Sequence, residues 1–159
     1  MVKSLKPLVI LLQEMMMEGA KAIEVIEPGM KDWSFSHINF DGHLGGLLTS
    51  WSPDLSKIKI KSYETLLKIV LEDRGPGETF SLYNVYGPYH NKRKFWEFFF
   101  SSGLLEPQNM ILGGDMNLSL SEREVWGSSM RMYSLSNFFL ALFKSKGLLY
   151  VHPLKVETT

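Results

Sequence analysis

The sequence predicts an α+β layered domain, and three observations lead there. Runs of strand length outnumber runs of helix length, and several of them follow one another with no helix between. Two aromatic-rich or apolar segments have the length and stops of helices. The 159 residues are 45% hydrophobic and 13% aromatic, enough apolar material for one domain with a real core. A strict alternation of strand and helix would have predicted a doubly wound parallel sheet instead.

Each element has a local reason. Pro7 to Leu12 is a continuous apolar run, β-branched in its middle, and predicts a strand buried on both faces that ends at Gln13-Glu14. Residues 15–26 interleave apolar and charged positions, a short helix stopped by Pro28-Gly29. Residues 33–40 alternate as a strand, Asp41 to Gly46 is a glycine-rich turn, and Leu47 to Trp51 resumes an apolar run. Lys57 to Lys61 alternates strictly, which turns Ile58 and Ile60 inward and the lysines outward. Residues 65–71 form the next strand, and Arg74 to Gly77 is a turn by its breakers. Thr79 to Tyr86 is a strand closed by Gly87-Pro88, and residues 90–101 are a helix ended by Gly103. Met110 to Leu112 is a strand. Ser136 caps a helix over Asn137 to Lys146 that Gly147 stops, and Leu148 to Val151 starts another strand.

Charge and composition exclude several classes. Lysine plus arginine equals aspartate plus glutamate, 17 each, so no global basic surface recruits nucleic acid, although a local patch or a metal can do that work. The chain has no cysteine, which removes disulfides, thiolate zinc sites and cysteine nucleophiles. The N-terminal apolar run is broken by Gln13 and Glu14 before any small-residue cleavage site. No stretch approaches the roughly 20 apolar residues of a membrane span. The expectation is a soluble, intracellular protein.

Three predicted strand ends carry the chemistry. In "MILGGDMN" an apolar strand ends in Gly113-Gly114, and then come Asp115 and Asn117. In an extended chain those two side chains share a side. Gly-Gly-Asp-x-Asn is equally good turn chemistry. Glu14 closes the first strand, and Tyr86 closes another on a face with Asn84, Leu82 and Phe80. Each has a plain reading as a polar terminus or a core tyrosine. Together, carboxylate and amide oxygens suit Mg²⁺ or Mn²⁺, and a phenol and an amide suit phosphate oxygens. That combination fits metal-assisted cleavage of a phosphodiester.

The ordered stretches "LVILLQE", "DGHLGGLLTSW", "YNVYGPYHNKRKFW" and "ILGGDMN", with a weaker "GLLYVHPLK" tail, resemble the endonuclease/exonuclease/phosphatase superfamily, which has the DNase I-like fold. Within it the chain looks most like the endonuclease domain of plant LINE-type (non-LTR) retrotransposons, akin to abasic-site endonucleases. The resemblance runs from about Leu8 to about Lys155. It implies a two-sheet sandwich flanked by helices in four layers, nuclear DNA as substrate, and Mg²⁺ (or Mn²⁺) as cofactor. It also implies roles: Glu14 as metal carboxylate, Tyr86 at the scissile phosphate, Asp115 orienting or deprotonating the attacking water, and Asn117 positioning phosphate and Asp115.

The family's opening strand, with an asparagine near the metal, and its closing Ser-Asp-His segment have no counterpart here, so the expectation is a single domain over 1–159 that is incomplete at both ends. None of His37, His43, His90 and His152 follows an aspartate, and His43 reads as an exposed loop residue with no metal role. Two alternatives follow: a non-catalytic remnant, or a superfamily member acting on RNA or a phosphorylated small molecule. Lys92-Arg93-Lys94 reads as a solvated first turn rather than a phosphate clamp, and the Phe95 to Phe100 aromatics as a packing face rather than a base-stacking platform.

Overall fold

The computed structural model describes residues 6–39, 46–55, 57–72, 79–105, 109–120 and 134–151. The glycine turn with His43, the Arg74–Gly77 turn and His152 lie outside the described residues. The chain forms two compact units, Met1–Lys92 with Gln108–Asn117 and Arg93–Pro107 with Leu118–Thr159.

The first unit holds two sheets. β1 (Val9–Leu12), β2 (Ser34–Ile38) and β3 (Leu47–Trp51) form an antiparallel sheet in the order β1-β3-β2. β4 (Ile58–Tyr63), β5 (Leu66–Leu71), β6 (Phe80–Tyr86) and β7 (Met110–Asp115) form the second, in chain order. Its first two pairings are antiparallel, and β6 with β7 is parallel. A parallel pair needs a crossover, and the connection here contains a helix. Helix α1 (Gly19–Ile26) passes into a 3-10 turn at Glu27–Gly29, where Pro28 ends it as its missing N–H requires. Leu47, Leu67 and Tyr86, with Ile38 packed against them, join the facing sheets.

The second unit is aromatic. Helix α2 (Lys92–Ser101) and helix α3 (Ser136–Ser145) meet through Trp96, Phe100 and Phe143, with ring centroids 5.4 to 6.3 Å apart. Trp96, Phe99 and Phe100 are buried, which bears out the packing reading of this segment. Arg93 is held by Glu97 at 3.0 Å and lies 4.6 Å from the Phe138 ring. Helix α3 ends in a two-bond cap: Leu148 N–H donates to Phe143 O, and Gly147 N–H donates to Lys144 O. Gly147 takes φ +69, the left-handed conformation that this cap requires.

Four local expectations are corrected. β1 is half-buried rather than buried on both faces, because it is an edge strand paired only with β3 among the described residues. Ile60 is exposed, because β4 is likewise an edge and its inward face is only partly covered. Ser136 is the first helical residue and not the cap, which is Leu135 with no side-chain cap bond; the Ser136 hydroxyl donates to Ser119 O. Leu148 to Val151 forms no strand; after the helix cap the chain runs irregularly with Leu149 and Val151 exposed.

Candidate active site

The site grows from the ends of β1, β6 and β7, all in the first unit. β6 is buried along nearly its whole length, and its alternate residues Asn84 and Tyr86 face the other sheet. Tyr86 is 5% exposed, and its hydroxyl donates to Glu14 Oε1 at 2.6 Å. Tyr89 donates to the same oxygen at 2.9 Å, its ring edge-on to Tyr86. Both bonds land on Oε1, and among the described residues Oε2 accepts none.

This placement sets the charges. Donation from Tyr86, and then from Tyr89, holds the Glu14 carboxyl below the ordinary carboxylate range, against a smaller opposing effect of burial. Burial first, and then donation to Glu14, push the Tyr86 phenol well above its ordinary range; a hydrogen bond with the Asn117 side chain works the other way. Glu14 is therefore a carboxylate and Tyr86 a neutral phenol at neutral pH.

β7 brings the second acid. In the parallel register Asp115 stands beside Tyr86, and Gly87 N–H donates to Asp115 O at 2.7 Å. Gly114 explains part of the double glycine. It takes φ +127, and a Cβ there would collide with Val85 O on β6. The glycine lets two strands close on each other; no ligand approach is needed to account for it.

After Asp115 the chain turns. Asn117 takes φ +50, its N–H donates to Asp115 Oδ1 at 2.9 Å, and its Nδ2 donates to Gly87 O at 2.6 Å. The acid and the amide are therefore neighbours through an Asx turn, not through an extended chain. Of the two readings open in the sequence, the turn is what forms, and it still holds the pair together beside Tyr86.

Sequence reasoning gave no role to Tyr89, Gln13 or Asn84. Tyr89 lies three residues beyond Tyr86 and left no periodic signal. The alternation of β6 puts Asn84 on the face of Tyr86, and an amide at a core position of a strand is the available clue.

Among the described residues no three His, Asp or Glu side chains converge as a metal cluster. What Glu14 offers a hard divalent ion is one ionised carboxylate whose Oε2 accepts no hydrogen bond among the described residues. Mg²⁺ commonly takes one or two carboxylates and keeps several waters. No helix is long and apolar enough to cross a membrane among the described residues.

No protein-family model matches the chain, and no curated protein matches it. Among solved structures it is similar to the endonuclease domain of TRAS1, a telomere-specific non-LTR retrotransposon, with TM-score 0.61 and 14% identity over 92% of this chain and 63% of that one. It is also similar to the AP endonuclease LMAP from Leishmania major, with TM-score 0.58 and 16% identity over 80% of this chain and 51% of that one. The chain thus spans less than two thirds of either. At these identities the likeness shows the fold: α+β, of the DNase I-like kind.

Proposed function

We propose that this chain is part of a Mg²⁺-dependent phosphodiester hydrolase domain that nicks DNA, of the kind found in retrotransposon endonucleases, with residues 1–159 belonging to one such domain. The single observation that carries the reading is the convergence of Glu14, Asp115 and Asn117 on Tyr86 and the adjoining Gly87. Four residues from three strand ends meet there. The similar folds belong to endonucleases, which supports a nucleic acid as substrate.

Each residue has a role that its surroundings fit. Glu14 would hold the Mg²⁺ (or Mn²⁺) through Oε2, and the ion would supply positive charge to phosphate oxygens. Asp115 would orient or deprotonate the attacking water. The Asx turn occupies its Oδ1 and fixes the carboxylate's direction. Tyr86 stays protonated, and its one O–H proton is given to Glu14 Oε1, so its role at the phosphate would be to hold that carboxylate in place beside the charge that develops there. Asn117, anchored to Gly87 O, would position both phosphate and Asp115.

The experiment is nicking of supercoiled plasmid with Mg²⁺, with EDTA, and with Asp115→Ala. RNA and inositol phosphate run in parallel decide between substrate classes. One observation favours a second reading, a non-catalytic remnant: among the described residues no group of three acid or histidine side chains gathers to hold an ion. A folded protein that neither binds Mn²⁺ nor nicks would favour it.

A further inference from the structure

Glu14 lies at the end of an edge strand, yet its carboxylate must hold one position to serve an ion. β1 has no partner but β3 among the described residues, and Glu14 itself takes φ +51, outside the strand. Backbone pairing of β1 stops at Leu12. Something other than the ladder must fix residues 13 and 14.

Asn84 is that anchor. It is 1% exposed and projects from β6 into the space between the sheets. Its Oδ1 accepts from Gln13 Nε2 at 2.7 Å. Its Nδ2 lies 3.0 Å from Thr49 Oγ1, 3.1 Å from Leu48 O and 3.4 Å from Leu12 O. One amide thus grips two successive residues of the β1 end, and Tyr86, two positions on and on the same face, grips the third. The bonds of Asn84 to Leu48 and Thr49 tie it to β3, the strand that carries β1.

We propose that Asn84 is a positioning residue for the site: through Leu12 and Gln13 it places the Glu14 carboxylate against Tyr86 in the orientation that presents Oε2. It touches neither ion nor substrate. The proposal rests on the reading of Glu14 as the ion-holding carboxylate, and it explains why a four-residue edge strand can end in a placed side chain. An amide is required because the grip needs an acceptor and donors in one group; leucine has neither and aspartate lacks the donors.

The test uses Gln13→Leu, Asn84→Leu and Thr49→Val in the full chain. Each variant's crystal structure gives the Glu14 Oε1–Tyr86 Oη separation, and electron paramagnetic resonance of free Mn²⁺ gives the ion's dissociation constant. Thr49→Val removes an Asn84 partner that does not belong to the β1 end, so it controls for a merely structural role. Gln13→Leu keeps the test open if Asn84→Leu does not fold. The expected result is that Glu14 leaves hydrogen-bond reach of Tyr86 in Gln13→Leu, with Mn²⁺ affinity about tenfold weaker, while Thr49→Val lowers the thermal midpoint and leaves both readouts in place. Retention of the Glu14–Tyr86 bond in Gln13→Leu overturns the proposal whatever the ion does. If wild-type protein shows no Mn²⁺ binding but Glu14 still leaves Tyr86 in the variant, positioning stands and the functional reading fails.

Discussion

Tyr86 is where the residue-scale account is most exposed to test. Its hydroxyl is buried and held by Glu14. Tyr86→Phe keeps the ring and its packing but removes the O–H that holds the Glu14 carboxylate, so nicking should fall by up to about 10²-fold, as for loss of a group that positions a ligand. Single-turnover rates check this. Tyr89→Phe tests the electrostatics separately. Glu14 has a folded-state pKa held below its ordinary 4.5, so its two hydrogen bonds contribute stability that is present above that value and is lost as pH falls through the folded pKa. Tyr89→Phe should therefore be less stable than wild type near neutral pH, and the difference should vanish in acid. Urea midpoints taken between about pH 3 and 7 measure this. Glu14, Tyr86, Asp115 and Asn117 were legible as residues because acids, amides and phenols at strand ends stand out against apolar runs. What joins them was not legible: a hydrogen bond spanning 72 positions leaves no local trace.

At the scale of elements, β7 and the paired helices carry separable predictions. The parallel pairing of β6 and β7 brings Asp115 beside Tyr86, and it depends on Gly114. Gly114→Ala would force a side chain into a left-handed conformation and against Val85 O. The expected loss is about 2 kcal/mol or more, read from denaturant midpoints, with nicking impaired through the displaced Asp115. In the second unit Trp96 is fully buried among Phe95, Phe99, Phe100 and Phe143. Trp96→Ala should cost about 3–5 kcal/mol. Most element types were legible, since β-branched runs, breakers and glycine stops are local signals. Burial was not. The run Val9–Leu12 and the alternation around Ile60 read as core, but both lie on sheet edges, and only strand order reveals an edge. Ser136 misled for a similar reason: the cap is Leu135, and the Ser136 hydroxyl donates to a carbonyl 17 residues away.

At the scale of the whole molecule, an α+β class follows from the number and spacing of short runs, and the DNase I-like fold from the order of four motifs. The two-sheet arrangement adds what neither could supply. It brings β1 opposite β6, so that one face of β6 holds Leu12, Gln13 and Glu14. The site's existence is therefore a property of the sandwich rather than of any motif. Net charge of zero was silent about substrate, because the proposed site would work through a few placed groups and an ion rather than through an overall field.

The central claim is that these strand ends form a phosphodiester-cleaving site, and plasmid nicking by the purified chain tests it most directly. With Mg²⁺ the account predicts conversion of supercoiled to open-circular plasmid, abolished by EDTA and reduced about 10²–10⁴-fold by Asp115→Ala. A soluble, folded sample that leaves the plasmid supercoiled, or that nicks equally well after Asp115→Ala, would contradict it.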